Sequence, residues 1–170
     1  YIPTNKLMLQ LIKKHKKKFK ISYSISGMAL EQMEAWRPDV IKSFVELSKT
    51  GCVEFLSETF NHSLSYLYSK DEFKRQVELH GAKIKKLFNQ TPVVFRNTEL
   101  IYNNELAKYA EDMGFKGIMC EGVDWLLNGR SPNFLYRAPN ATTIKSLLKN
   151  YRLSDDIAFR FSDSGWSEHP

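Results

Sequence analysis

The stretch VVFRNTELIYNNELAKYAEDMGFKGIMC, Val93 to Cys120, decides the fold. Val93-Val94-Phe95 is a β-rich apolar run that carries a strand to Arg96. Residues 103–113 (NNELAKYAEDM) have helical composition, and Gly114 closes the helix. FKGIMC then returns the chain to strand. A strand, a helix and a strand in about thirty residues form a unit in which the helix crosses over between parallel strands.

The same alternation runs outward in both directions. Residues 5–17 read as helix, 19–25 (FKISYSI) as strand, and MALEQMEAW with RPDVIKSFVELSKTG as helices. Val40, Ile41, Phe44, Val45 and Leu47 carry the helical period there, and Gly51 stops it. CVEFLS, 52–57, reads as strand and residues 71–88 as helix. Beyond Cys120 the reading gives a short strand near Phe134–Tyr136, a small helix over 141–149, and a last strand within Tyr151–Phe161. The expected class is therefore α/β with parallel strands. A barrel and an open doubly wound sheet both fit the alternation. No Gly-rich phosphate loop follows any strand.

Function in parallel α/β folds sits at the carboxyl ends of strands, and these ends are acidic. Glu58 and His62 follow CVEFLS; Arg96 and Glu99 follow VVF. Glu121 follows GIMC, with Asp124 and Trp125 next, and Asp155 and Asp156 follow Tyr151-Arg152-Leu153. Each acid alone has an ordinary structural explanation in a cap or turn. Gathered on one face they repel one another, a cost that points to a role. Paired carboxylates are the machinery of glycoside hydrolysis. Arg96 would help keep Glu99 ionised, and Trp125 and Trp166, both in polar sequence, would offer apolar platforms to sugar rings.

Bulk properties bound the alternatives. The 170 residues are 42% hydrophobic and 26% charged, with a net charge of +6, which suits a globular domain with a core. No run approaches the ~20 apolar residues of a membrane span. KKHKKKFK, Lys13 to Lys20, reads as the solvated end of a helix, where cations suit the dipole, rather than as a nucleic-acid site. Cys52 and Cys120 form neither a metal-ligand spacing nor a disulfide framework, so a reduced, cytoplasmic protein is expected. The first residues do not read as a signal peptide, and without an initiator Met a segment of a longer protein is expected.

GCVEFLSETFNHSL (51–64), VFRNTELIY (94–102), MGFKGIMCEG (113–122) and YRLSDDIAFRFS (151–162) resemble glycoside hydrolase family 57 in its α-amylase-like branch, as do ISYSISGMALEQ and WSEHP. The resemblance implies an incomplete (β/α)7 barrel, with residues 1–170 forming part of one catalytic domain. It further implies a retaining reaction on α-glucan polysaccharide or maltooligosaccharide, with no cofactor. By motif, Glu99 is the nucleophile and Asp155 or Asp156 the acid/base. Asp155 is preferred, because the family often places an Asp four residues before a Phe, here Phe159; on a strand the two acids would face opposite ways. Glu58, His62, Arg96, Glu121, Trp125 and Trp166 fall to substrate binding. The family's His-Gln-Pro motif does not occur within these 170 residues, and that motif and the family's helical region are expected in other parts of a longer chain.

Three alternatives remain. A 4-α-glucanotransferase would share the whole core. A metal-dependent polysaccharide deacetylase needs a His four residues after His62, where Tyr66 stands, so no metal site is expected. A non-catalytic glucan-binding domain would need a lost carboxylate, and both motifs are intact. No serine-hydrolase elbow occurs.

Overall fold

The computed structural model of the chain describes residues 1–16 and 18–166. The chain forms two compact units that divide between Thr98 and Glu99.

The first unit contains α1 (Ile2–Lys14), β1 (Ile21–Tyr23), α2 (Gly27–Trp36), α3 (Pro38–Ser48), β2 (Val53–Phe55), α4 (Lys70–Phe88) and β3 (Val94–Arg96). Its helices begin and end where local chemistry dictates. Ser69 caps α4 by accepting the Glu72 amide at 3.2 Å, Asp71 and Glu72 occupy the first turn, Lys85 and Lys86 the last, and left-handed Asn89 ends it. Pro38 opens α3, whose Val40, Ile41, Phe44 and Leu47 form the buried stripe. β1 and β2 pair in parallel with Ile21 opposite Val53, and a parallel bridge from Ser57 to Phe95 ties the segment after β2 to β3. Phe55 stacks on Phe88 at 3.9 Å and lies near Phe44, which meets Tyr23 edge-on. Gly27 is required where α2 starts: a Cβ there would lie 2.3 Å from the Phe60 ring. The lysines that end α1 are exposed, as a solvated helix end should be.

The second unit contains α5 (Asn104–Asp112), β4 (Gly117–Glu121), the single turn α6 (Asp124–Leu127), β5 (Leu135–Tyr136), β6 (Lys145–Lys149) and α7 (Tyr151–Asp155), which runs into a π-helical turn, Asp156–Arg160. β6 pairs in parallel with β4, Gly117 opposite Lys145, and antiparallel with β5. Asn103 caps α5 through the Leu106 amide at 2.7 Å. The Glu111 carboxylate accepts the amides of Thr142, Thr143 and Ile144, holding the approach to β6 against α5.

Two expectations fail here. Residues 141–149 are not a helix: Ile144, Leu147 and Leu148 fall at helical spacing, but Ile144 and Ser146 are buried around exposed Lys145, the alternation of a strand. Residues 151–161 are not a strand. The Asn150 side chain accepts the Leu153 amide at 3.1 Å and starts a helix, so the aromatic and branched residues that suggested β-structure lie along helical turns.

Candidate active site

Each unit carries its own acidic strand ends. In the first, Glu58 stands three residues past β2 with its side chain only 3% exposed. Ser24 Oγ donates to Glu58 Oε2 at 2.5 Å, His62 Nδ1 lies 3.7 Å from Oε1, and Arg96 Nη1 is 4.0 Å from Oε2. Burying a carboxylate is costly unless donors or cations offset the lost hydration, and these three residues stand where they can do so. Arg96, expected beside Glu99, thus faces Glu58. His62 has φ 51°, a left-handed conformation that turns the loop back on itself. Thr59 and Thr98 share a hydrogen bond of 3.1 Å, and Thr98 also donates to the Ser63 carbonyl at 2.8 Å. Next to this group a cavity of about 530 Å³ is lined by Tyr23, Ser24, Ile25 and Ser26 at the end of β1. Ser24, which carries no charge, is the partner the acid-centred reading missed.

The second unit opens with Glu99, three residues past β3. Glu99 and Leu100 have φ of 53° and 55°. Two consecutive non-glycine residues in the left-handed region cost of order 1–3 kcal/mol each, and such strain collects at functional sites. Glu99 is therefore not the cap of a regular helix but the exposed corner of a tight turn.

Glu121 closes β4, and Asp155 follows β6 by six residues. Glu121, Asp124, Lys149, Tyr151 and Asp155 line a cavity of about 380 Å³. Lys149 Nζ lies 3.6 Å from Glu121 Oε2, while Oε1 is buried without a hydrogen-bond partner among the described residues. Asp124 accepts from the Tyr151 hydroxyl at 2.6 Å and from Arg152 at 3.0 Å; the Tyr151 bond first, then the guanidinium, holds its carboxyl below the usual range. Gly122 lets the cavity wall close: a Cβ there would lie 2.4 Å from the Lys149 carbonyl. Asp156 is engaged by Arg160 four residues on, so the two neighbouring acids differ by partner rather than by strand face. Trp125 lies on α6, 78% exposed, and Trp166 sits in the turn after Asp163. Lys149 and Tyr151 were missed because residues 141–161 were assigned to the wrong elements.

Both cysteines are free and buried. Burial, and then the charge of Glu121, push the Cys120 thiol up to about 12, which leaves it protonated and a poor nucleophile. Among the described residues no three or more His, Cys, Asp or Glu side chains stand together as metal ligands.

The family model for glycosyl hydrolase family 57 matches residues 1–169. A Methanocaldococcus jannaschii protein named "Putative alpha-amylase" is 49% identical over 171 residues, covering all of this chain and 36% of that protein. The chain belongs to glycosyl hydrolase family 57. It spans about a third of that relative's length. A 4-α-glucanotransferase from Thermococcus litoralis superposes with a TM-score of 0.77 at 20% identity, over 93% of this chain and 24% of that one. A "putative polysaccharide deacetylase" from Mycobacterium smegmatis gives 0.67 at 12% identity, over 97% and 52%. At these identities the structures speak for fold alone. They bear out the expected class, α/β with parallel strands as in an incomplete (β/α)7 barrel. Among the described residues of this family-57 chain no helix is long and apolar enough to cross a membrane.

Proposed function

We propose that this family-57 chain is part of the catalytic domain of an α-amylase-like glycoside hydrolase acting on α-glucans by retaining double displacement. The observation that carries the reading is the placement of acids: Glu58, Glu99, Glu121 and Asp155 each stand at or shortly after the carboxyl end of a strand. Glu99 attacks the anomeric carbon while the Asp155 carboxylic acid protonates the departing oxygen. Water then attacks the glycosyl-enzyme as the Asp155 carboxylate takes its proton, restoring both groups. Asp155 is favoured over Asp156 because it lines the cavity with Glu121 and Tyr151, whereas Asp156 is engaged by Arg160. Glu58 and His62 hold sugar hydroxyls, Arg96 supports Glu58, and the exposed indole of Trp125 supplies a stacking face.

The test is Glu99→Gln in the full-length protein. Maltooligosaccharide cleavage should fall by about 10³-fold or more with folding intact; activity within a few-fold of wild type would remove Glu99 as nucleophile. The fold shared with a 4-α-glucanotransferase makes transfer the second reading. Products longer than the starting oligosaccharide would select transfer, and only shorter ones hydrolysis.

A further inference from the structure

His80 takes no part in the reaction just described, yet it is one of the most completely buried polar side chains of the first unit. It sits in the middle of α4 with none of its surface exposed. Its Nε2 lies 2.8 Å from the Ile25 carbonyl, and its Nδ1 lies 3.4 Å from the Glu58 amide nitrogen, which donates to it. A ring nitrogen that accepts an N–H carries no proton, so the other must carry one. The contacts therefore specify a neutral imidazole with its hydrogen on Nε2. One ring joins the loop after β1 to the loop after β2. Burial lowers the imidazole's basicity, opposed in turn by the Ile25 bond and by the charge of Glu58.

His80 is not alone on its helix face. Gln76, one turn earlier and also buried, accepts from the Asn61 amide at 3.1 Å and from Ser63 Oγ at 3.0 Å. Just past α4, Gln90 accepts the Phe55 amide at 3.3 Å and donates to the Val53 carbonyl at 2.9 Å. Three side chains from α4 and its end thus meet the main-chain polar groups of residues 53–61.

We propose that His80 is a positioning residue for substrate binding: its neutral Nε2–H tautomer fixes the Glu58 main chain relative to Ser24 and Ile25 and so aims the Glu58 carboxylate at the sugar. This rests on the reading of Glu58 as a glucan-binding residue. Two amide variants separate the ring's two bonds. Asn places its carbonyl oxygen near the Nδ1 position and keeps an acceptor for the Glu58 amide; Gln places its NH2 near Nε2 and keeps only the donor to Ile25.

The experiment uses the full-length protein with a maltooligosaccharide as substrate. His80→Gln should lower kcat/KM about tenfold, the size expected for one lost buried hydrogen bond, with the change mainly in KM. His80→Asn, which keeps the bond to the Glu58 amide and loses the tie to Ile25, should lower it by less, about threefold, again mainly in KM. Equal losses in both variants that follow their Tm, or no loss in either, would overturn the proposal. A second readout is independent of catalysis: long-range 1H–15N correlation at neutral pH should show His80 as the Nε2–H tautomer, and an Nδ1–H tautomer or an imidazolium would overturn it. Absence of glucan cleavage by the wild type would instead sink the functional reading and leave the tautomer result standing.

Discussion

The two units treat their carboxylates differently. In the first, Glu58 is buried, held by Ser24 and flanked by two cationic or potentially cationic side chains. Behind it lies a core whose Phe44, Phe55, Phe73 and Phe95 are fully enclosed. In the second, Glu99 occupies an exposed left-handed corner and Asp155 the junction where α7 passes into the π-helical turn. In the same unit, side chains such as Trp125 and Phe159 (80% exposed) are left open to solvent. A carboxylate that recognises a substrate gains from being fixed beforehand, because ordering it on binding costs affinity. A carboxylate that exchanges a proton or forms a bond must be approached and released, and an exposed turn or a half-buried position on a surface helix permits that.

The sharpest test of this contrast is to set kcat against KM. Asp155→Asn should lower kcat by about 10²- to 10³-fold, and Asp156→Asn should change it less than about threefold; the reverse pattern would exchange their roles. Glu58→Gln keeps the shape and removes the charge. It should raise KM about tenfold with a smaller effect on kcat, as a lost charge-assisted bond to substrate would. Steady-state kinetics on a maltooligosaccharide series reads all three.

Gly122→Ala probes the wall of the second unit. Its Cβ would meet main-chain carbonyl rather than a flexible side chain, so urea unfolding should show a loss of about 1–3 kcal/mol. Glu111→Gln should lower Tm by a few degrees by weakening the acceptor shared by the three amides before β6. Those amides hold the Glu111 carboxyl well below the usual range, led by Thr143. Its contribution is therefore fully present above the unfolded carboxylate value of about 4.3 and lost as pH falls toward the lower folded value. Wild type and variant melting curves should converge in acid. The smallest effect is expected for Trp125→Ala: no change in Tm and a rise in KM of about threefold or less, since an exposed ring lends a stacking face and little else.

The same contrast explains what could be read from the residues alone. Through Cys120 the strand and helix periods are strong, and α1 to β4 appear close to where composition puts them; the α4 stripe of Phe73, Val77 and Ile84 is an example. After Cys120 the signals conflict. Lys145–Lys149 is rich in helix formers but pairs on both sides, so partners rather than propensity decide it. YRLSDDIAFRF has strand composition but a helix cap at Asn150. The acids were visible as residue types following strands. The shell around them was not: Ser24 and His80 reach Glu58 across separations of 34 and 22 residues, and a lone mid-helix histidine looks the same whether it packs at the surface or braces a loop. Nor does Thr-Glu-Leu announce two left-handed residues.

The way α4 grips the strand-end segment bears on how such an enzyme changes over time. Gln76, His80 and Gln90 engage mainly main-chain atoms of residues 53–61, which every amino acid except proline supplies in the same form. The path of that segment is thereby separated from the identity of several of its side chains. An exposed position such as Asn61 can vary over a constant frame. The helix acts as a jig and the loop as a set of exchangeable tool heads, so that under the proposed role of Glu58 substrate specificity is open to retuning by substitution in the loop while α4 stays as it is.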